Sequence, residues 1–352
     1  VTLYFTVDML LRRLIPWQPD ALPPTRGPEY MIQPGRLALA ALALAALALG
    51  PIAAVPAAAQ GPERLSVILD WFINPDHGPL IVAAERGYFK EAGLEVTFDE
   101  PADPNDPPKL VAAGKYDLGV SYQPQLHLQV AQGLPLMRVG TLVATPLNTV
   151  IVLRDGPIKS IADLKGKKIG YSVGGLEEAM LGGVLKTHGL TLKDVTLINV
   201  NWSLSPSLAA EQVDAVIGGY RNFEMNQMDI AGHPGRAFFV EEEGIPPYDE
   251  LILIANKTKV DRRAYRAFVD ALERGVQYLI NHPDESWRLF IRNRGQLDDE
   301  LNRRAWKDTI PRFALRPAAL DNRRYERFAA FLKERGLIET VPPVETYAVQ
   351  LP

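Results

Sequence analysis

A strand–helix–strand rhythm occurs twice along this chain, and that repeat constrains the fold more than any other feature. In the first occurrence Leu65 to Leu69 reads as a short apolar strand that runs into a polar and aromatic loop, Asp70 to His77. Leu80 to Arg86 reads as a helix, which Gly87 to Gly93 continues and closes on a glycine. Leu94 to Phe98 alternates and reads as a second strand. A proline-rich loop from Pro101 to Pro108 and a helical turn from Lys109 to Ala113 lead to a third, Tyr116 to Val120.

The rhythm returns with the strand Asn148 to Leu153, a short helix and turn from Ile161 to Lys168, and the strand Ile169 to Val173, which ends in Gly174 and Gly175. A helix from Glu177 to His188, a strand from Val195 to Val200, a helix from Leu204 to Glu211 and a strand from Ala215 to Gly218 follow, with one more strand from Glu250 to Ala255. After Asp261 only helices remain: Arg262 to Asn281, Asp284 to Arg292, Asp298 to Thr309 and Asn322 to Arg335. This order predicts parallel α/β layers, with C-terminal helices packed on the first of them.

Composition removes several function classes. The 352 residues suffice for two domains with real cores. A formal net charge of −4 lacks the basic footprint of a nucleic-acid binder. No cysteine is present, which excludes disulfides, thiolate zinc sites and cysteine nucleophiles. The five histidines are dispersed without ligand spacing, so no metal or cofactor and no catalytic residue is assigned.

The N-terminus reads as an address. Met31 to Arg36 carries one positive side chain, Leu37 to Leu49 is an unbroken Leu/Ala run, and Ala57 to Ala59 offers small residues for cleavage. That order describes a secretory signal peptide. Residues 1–59 are therefore read as an N-terminal extension plus signal peptide. The complete signal with its own methionine at Met31 suggests a misassigned translation start, or else an extended n-region.

From Leu65 onward the chain resembles the thiamine-pyrimidine group of periplasmic binding proteins, the NMT1/THI5-like family, related to yeast pyrimidine synthases. The resemblance rests on Leu69-Asp-Trp-Phe-Ile-Asn-Pro-Asp-His77, Glu85-Arg-Gly-Tyr-Phe-Lys-Glu-Ala-Gly-Leu94 and Gly114-Lys-Tyr-Asp-Leu-Gly119. It also rests on Asp163-Leu-Lys-Gly-Lys-Lys-Ile-Gly170, Gln212-Val-Asp-Ala215 and Tyr220-Arg-Asn-Phe-Glu224. The Gly-Tyr-Phe and Asp-Leu-Lys-Gly-Lys patterns also occur in sulfonate, nitrate-like anion and aromatic-solute binders, so they place the fold and not the ligand. The resemblance implies a two-lobed type II periplasmic binding protein with two crossing segments. Lobe one would comprise residues 64–147 and 249–352, lobe two 148–248, with crossings near Asn148 and Tyr248. It implies a monomeric extracytoplasmic capture protein serving an ABC permease and its ATPase in pyrimidine uptake for thiamine biosynthesis. Formyl-aminopyrimidine or hydroxymethylpyrimidine is the implied ligand, with riboflavin or another aromatic solute as the alternative.

On this reading Trp71 offers a flat face for a heteroaromatic ring, against the alternative of sealing the lobe core. Asn74 matches a mixed donor–acceptor ring edge, or is a turn residue before Pro75. His77 contacts ligand or helps cap the next helix. Tyr122 and Gln123 follow a strand where an α/β cleft forms, as ligand contacts or as support. Gly174 opens backbone N–H groups before a helix, or is an ordinary turn. Trp202 is a candidate opposing aromatic wall, and Tyr248 a candidate for closing over the ligand from the second crossing. Tyr220 and Glu224 follow a strand; Glu224 as acceptor for an exocyclic amine would discriminate against analogues lacking it, and otherwise it is a surface carboxylate. Two other classes compete: a pyrimidine-forming enzyme on the same scaffold, whose relatives carry a cysteine-rich segment absent here, and a ligand sensor for a membrane receptor.

Overall fold

The computed structural model describes residues 61–259 and 262–351. The signal-peptide reading at Met31 to Ala59, and the extension before it, lie outside the described residues. The chain first lays down β1 (Glu63–Ile68), α1 (Gly78–Glu85), α2 (Tyr88–Glu91), β2 (Leu94–Asp99), α3 (Pro107–Ala112), β3 (Leu118–Ser121), α4 (Gln123–Ala131) and β4 (Leu136–Val143). It then crosses to a second sheet, built from β5 (Asn148–Leu153), β6 (Lys168–Tyr171), α5 (Leu176–Thr187), β7 (Thr196–Asn199), α6 (Leu204–Ala209), β8 (Ala215–Tyr220), α7 (Glu224–Ile230) and β9 (Gly235–Phe239). It returns with β10 (Leu251–Asn256) and ends in α8 (Arg262–Asn281), α9 (Pro283–Ile291), α10 (Glu300–Thr309) and α11 (Asn322–Glu334).

The two sheets share one plan. The first has the order β2-β1-β3-β10-β4 and the second β7-β6-β8-β5-β9. In each, four strands run in one direction, and the one strand laid down just after a crossing, β10 or β5, is antiparallel to both its neighbours. This is the two-lobed type II architecture. β10 is buried along its whole length, which is why Leu251 to Ala255 reads as a continuous apolar run instead of an alternation.

Two sequence expectations change. Gly87 is not interior to one helix: its backbone turns left-handed at φ 75°, so α1 stops at Glu85 and α2 starts afresh at Tyr88. The stretches Gln123 to Val143 and Glu224 to Phe239, unassigned from sequence, each supply a helix and a strand. Their signal is weak for a physical reason. The buried face of α4 carries Gln123, Gln125 and His127 beside Leu126, so no apolar stripe marks it.

Buried polar groups tie the C-terminal region to the first sheet. The Arg138 guanidinium in β4, fully buried, donates to the carbonyl oxygens of Pro317 at 3.0 Å and Val349 at 3.1 Å, and to Thr141 Oγ1 at 2.7 Å. α8 lies so close to α1 that a Cβ added at Gly275 would stand 2.6 Å from the Pro79 carbonyl oxygen.

Candidate ligand-binding site

Parallel strands present their C-terminal ends to one side of a sheet, and the turns leaving them line clefts. Asp70 and Trp71 leave β1, Tyr122 leaves β3, Val173 leaves β6, and Gly218 and Tyr220 close β8. Together with Asn148 and Glu250 at the two crossings, all of these line one cavity between the sheets. The space among these residues is about 530 Å³, and the side chains of Trp71, Tyr122, Tyr220 and Phe223 narrow it to a slot.

The first wall is set by the loop after β1. Asn74 caps the turn Pro75–His77: its Oδ1 accepts the Asp76 N–H at 2.8 Å and its Nδ2 donates to the Phe72 carbonyl at 3.0 Å. The Asn74 N–H donates to His77 Nδ1 at 3.3 Å, which fixes the proton on Nε2, facing Asp70 Oδ1 at 3.0 Å. Asp70 Oδ2 accepts from the Tyr122 hydroxyl at 2.9 Å, and burial with the adjacent Asp70 charge pushes the Tyr122 phenol well up. His77 is completely buried behind Asp70 and therefore orients that carboxylate.

The opposite wall carries Leu176, Glu177, Leu204, Tyr220, Phe223 and Glu224. Glu224 opens α7 and accepts the Tyr220 N–H on Oε2 at 2.7 Å; burial raises its pKa to about 7. Glu177 accepts the Ser172 N–H at 2.6 Å, and burial pushes its carboxyl well up. It fits only because residue 218 is glycine: there φ is +94°, and a Cβ would stand 2.0 Å from Glu177 Oε1.

Glu250 joins both crossings to the cavity. Its Oε2 accepts the N–H groups of Leu147 at 2.6 Å and Asn148 at 2.9 Å, and the Tyr248 hydroxyl at 3.0 Å, while the Tyr220 hydroxyl donates to Oε1 at 3.4 Å. Burial raises the Glu250 pKa to about 7 against these donors.

Polar contacts bridge the lobes on both flanks. Asn222 Nδ2 donates to Asp76 Oδ1 at 2.6 Å and to Thr309 Oγ1 at 2.7 Å, and Asn226 Nδ2 donates to Asp308 at 2.8 Å. Across the cleft, the Gly174 N–H donates to Asn105 Oδ1 at 2.8 Å. Over the mouth, the Trp202 ring lies 4.3 Å from that of Trp71 and 4.4 Å from that of Phe72.

Trp71, Asn74, Tyr122, Tyr220 and Glu224 thus come together in the cavity wall. The other five candidates lie elsewhere. His77 and Tyr248 sit one layer back, holding Asp70 and Glu250. Gln123 is buried, accepting the Asp249 N–H at 2.7 Å on Oε1. Gly174 borders a separate open groove, and Trp202 packs on Trp71 instead of facing it across a gap. Asp70, Asp76, Glu177 and Glu250 were not singled out from sequence. The signal that finds Asp70 is an acidic residue just past a buried strand end, where the parallel-sheet cleft forms, whereas Glu177 stands in the first turn of the helix after β6.

Five carboxylates line this cavity and no Lys, Arg or His does. Among the described residues no three His, Asp or Glu side chains are grouped to hold a metal ion.

Comparison with known proteins gives a family and a fold. The family model described as NMT1/THI5 like matches residues 74–286. A Haemophilus influenzae protein provisionally assigned to thiamine biosynthesis is 53% identical over 290 residues, 82% of this chain and 92% of that one. The formylaminopyrimidine-binding protein of Halalkalibacterium halodurans is 36% identical over 242 residues, 68% of this chain and 72% of its own. Among solved structures, the alkanesulfonate-binding protein of Xanthomonas axonopodis pv. citri superimposes with a TM-score of 0.66 at 17% identity, covering 82% of this chain and 99% of that one.

Proposed function

The chain belongs to the NMT1/THI5-like family, and from that premise we propose that it is the extracytoplasmic solute-binding component of an ABC importer that captures a thiamine-precursor aminopyrimidine. The observation that carries this reading is the slot itself: aromatic walls edged by acceptors. Trp71, Tyr220 and Phe223 supply flat apolar contact, while Glu224 and its neighbouring carboxylates receive ring-edge donors. Such a slot suits a small planar ring with exocyclic N–H groups.

In this reading lobe one comprises residues 64–147 and 249–352 and lobe two 148–248. Ligand enters between them, the lobes close, and a permease with its ATPase accepts the closed form. The protein works as a monomer outside the cytoplasm, delivered there by the signal at Met31 to Ala59. Bond-making plays no part in this mechanism: the chain has no cysteine, and Asp70, Glu177 and Glu250 are engaged in holding the walls and crossings.

Calorimetry of the purified protein with formyl-aminopyrimidine, hydroxymethylpyrimidine and riboflavin tests the proposal. Micromolar or tighter binding of a pyrimidine, reduced in Glu224→Ala, supports it. Binding of riboflavin alone would leave capture intact and remove the pyrimidine assignment.

A further inference from the structure

The cavity carboxylates are unequally satisfied. Asp70 is held by His77 and Tyr122, one on each oxygen. Glu250 receives two backbone N–H groups and the Tyr248 hydroxyl on one oxygen and the Tyr220 hydroxyl on the other. Asp76 and Glu224 differ. Both hydrogen bonds that Asp76 accepts, from Asn222 and Thr309, fall on Oδ1. Glu224 accepts only backbone donors, the Tyr220 N–H on Oε2 and its own N–H. These two side chains come from opposite lobes, Asp76 from the turn before α1 and Glu224 from the start of α7, and the charge on Asp76 acts on Glu224 across the slot.

Among the described residues that line the slot no Lys or Arg pairs with either carboxylate, and His77 is the one basic neighbour that acts on Asp76. The guanidinium of Arg221 binds Glu241 at 2.8 Å and lies over Phe239, and that of Arg324 is paired with Asp249. Facing the pair are Asp70, Glu177, Glu250, Tyr122 and Tyr220, none of them cationic. His77 adjoins Asp76 in the chain, but its ring is turned to Asp70. Two buried like charges in a closed slot are costly unless something positive lies between them. Among the described residues no cluster of ligands that a bare metal ion needs is present.

We propose that the site recognises its pyrimidine through a positively charged exocyclic substituent, a primary ammonium lodged between Asp76 and Glu224. This deepens the pyrimidine reading and rests on it. An ammonium gives charge-assisted hydrogen bonds to both carboxylates at once, which a hydroxyl or a formamide does not. A phosphate ester on the same position would add negative charge to a cavity that has no cation to receive it, so the site takes the unphosphorylated amine. The raised pKa values of Asp76, about 6, and Glu224, about 7, agree with a pair waiting for a cation.

The test is one ring with four substituents at the same carbon: aminomethyl, hydroxymethyl, formylaminomethyl and phosphooxymethyl, titrated by calorimetry at pH 7. The aminomethyl compound should bind about tenfold or more tighter than the hydroxymethyl one, and the phosphate ester should not bind. Repeating the first titration in two buffers of different ionisation enthalpy should show proton release on binding, as the carboxyl groups lose their protons to the buffer when the cation arrives. Glu224→Gln and Asp76→Asn should each cut the amine preference to about threefold or less, weakening the aminomethyl compound more than the hydroxymethyl one. Equal or tighter binding of either neutral compound, or binding of the phosphate ester, overturns the ammonium site and leaves pyrimidine capture standing. Silence with all four compounds overturns both. The wild-type series alone decides if a variant fails to fold.

Discussion

The rings of Trp71 and Trp202 meet edge to face, with centroids 4.3 Å apart and planes inclined at 69°. Trp71 leaves the first sheet after β1, and Trp202 leaves the second after β7, so the pair spans the mouth of the slot from both lobes. Contacts of this kind contribute about 1 kcal/mol beyond simple burial.

Removing the pair should therefore act on escape of ligand. Trp202→Ala should speed ligand dissociation about five- to tenfold with little change in the association rate, since an aromatic contact of about 1 kcal/mol is lost only from the closed form. Stopped-flow fluorescence from Trp71 measures both rates. An unchanged dissociation rate would show that the pair does not secure closure.

Glu250 should matter to the crossings before it matters to ligand. Glu250→Ala removes the carboxylate oxygen to which the buried N–H groups of Leu147 and Asn148 donate. Leaving two such groups unpaired costs about 2–5 kcal/mol. Glu250→Gln keeps one acceptor oxygen for them and should recover most of that loss. Chemical denaturation of the two variants should give this order, and equal stabilities would refute the assignment.

Stability of the ligand-free protein should fall as pH rises through neutrality. Burial raises Asp76 from 3.8 to about 6, and Glu224 and Glu250 from 4.5 to about 7. Between those limits the folded protein binds more protons than the unfolded chain, so unfolding free energy decreases with pH, and the loss is complete above about 7. Each group contributes on the order of 3 kcal/mol to that decline. The Tm should be higher at pH 5.5 than at pH 8, and Glu224→Gln, neutral throughout, should shrink the difference. A Tm that rises over this range would contradict the burial of these carboxyls.

Gly275→Ala tests the seat of the C-terminal helices. The added methyl would press on the Pro79 carbonyl at 2.6 Å and the Ala83 Cβ at 2.8 Å, both parts of α1. Despite the better helix propensity of alanine, the variant should lose about 1–3 kcal/mol as α8 is pushed off α1. Thermal unfolding measures it, and an unchanged or higher Tm would mean that α8 shifts freely.

Much of the fold was legible because it is local. The short apolar run at Leu65 to Leu69, the alternation at Leu94 to Phe98, the apolar run at Leu251 to Ala255 and the punctuating glycines announce their own elements. Elements whose buried faces are polar stayed silent, as with α4 and its Gln123, Gln125 and His127. The loop motif around Trp71 and the Tyr220–Glu224 turn were readable as cleft residues, since each follows a buried strand.

What the sequence by itself determined was the two α/β units, the missing cysteine chemistry and the family. What only the tertiary structure decided was which polar side chains face the slot and which hold it together. Asn74, His77 and Asp76 lie within four residues, yet one caps a turn, one orients Asp70 and one is left facing Glu224 from the other lobe. The reason is that each role depends on a partner far away in the chain: Tyr122 for Asp70, Asn222 for Asp76, Leu147 for Glu250. Hydrophobic periodicity is written into neighbouring residues, whereas the satisfaction of a buried charge is settled only when distant segments meet.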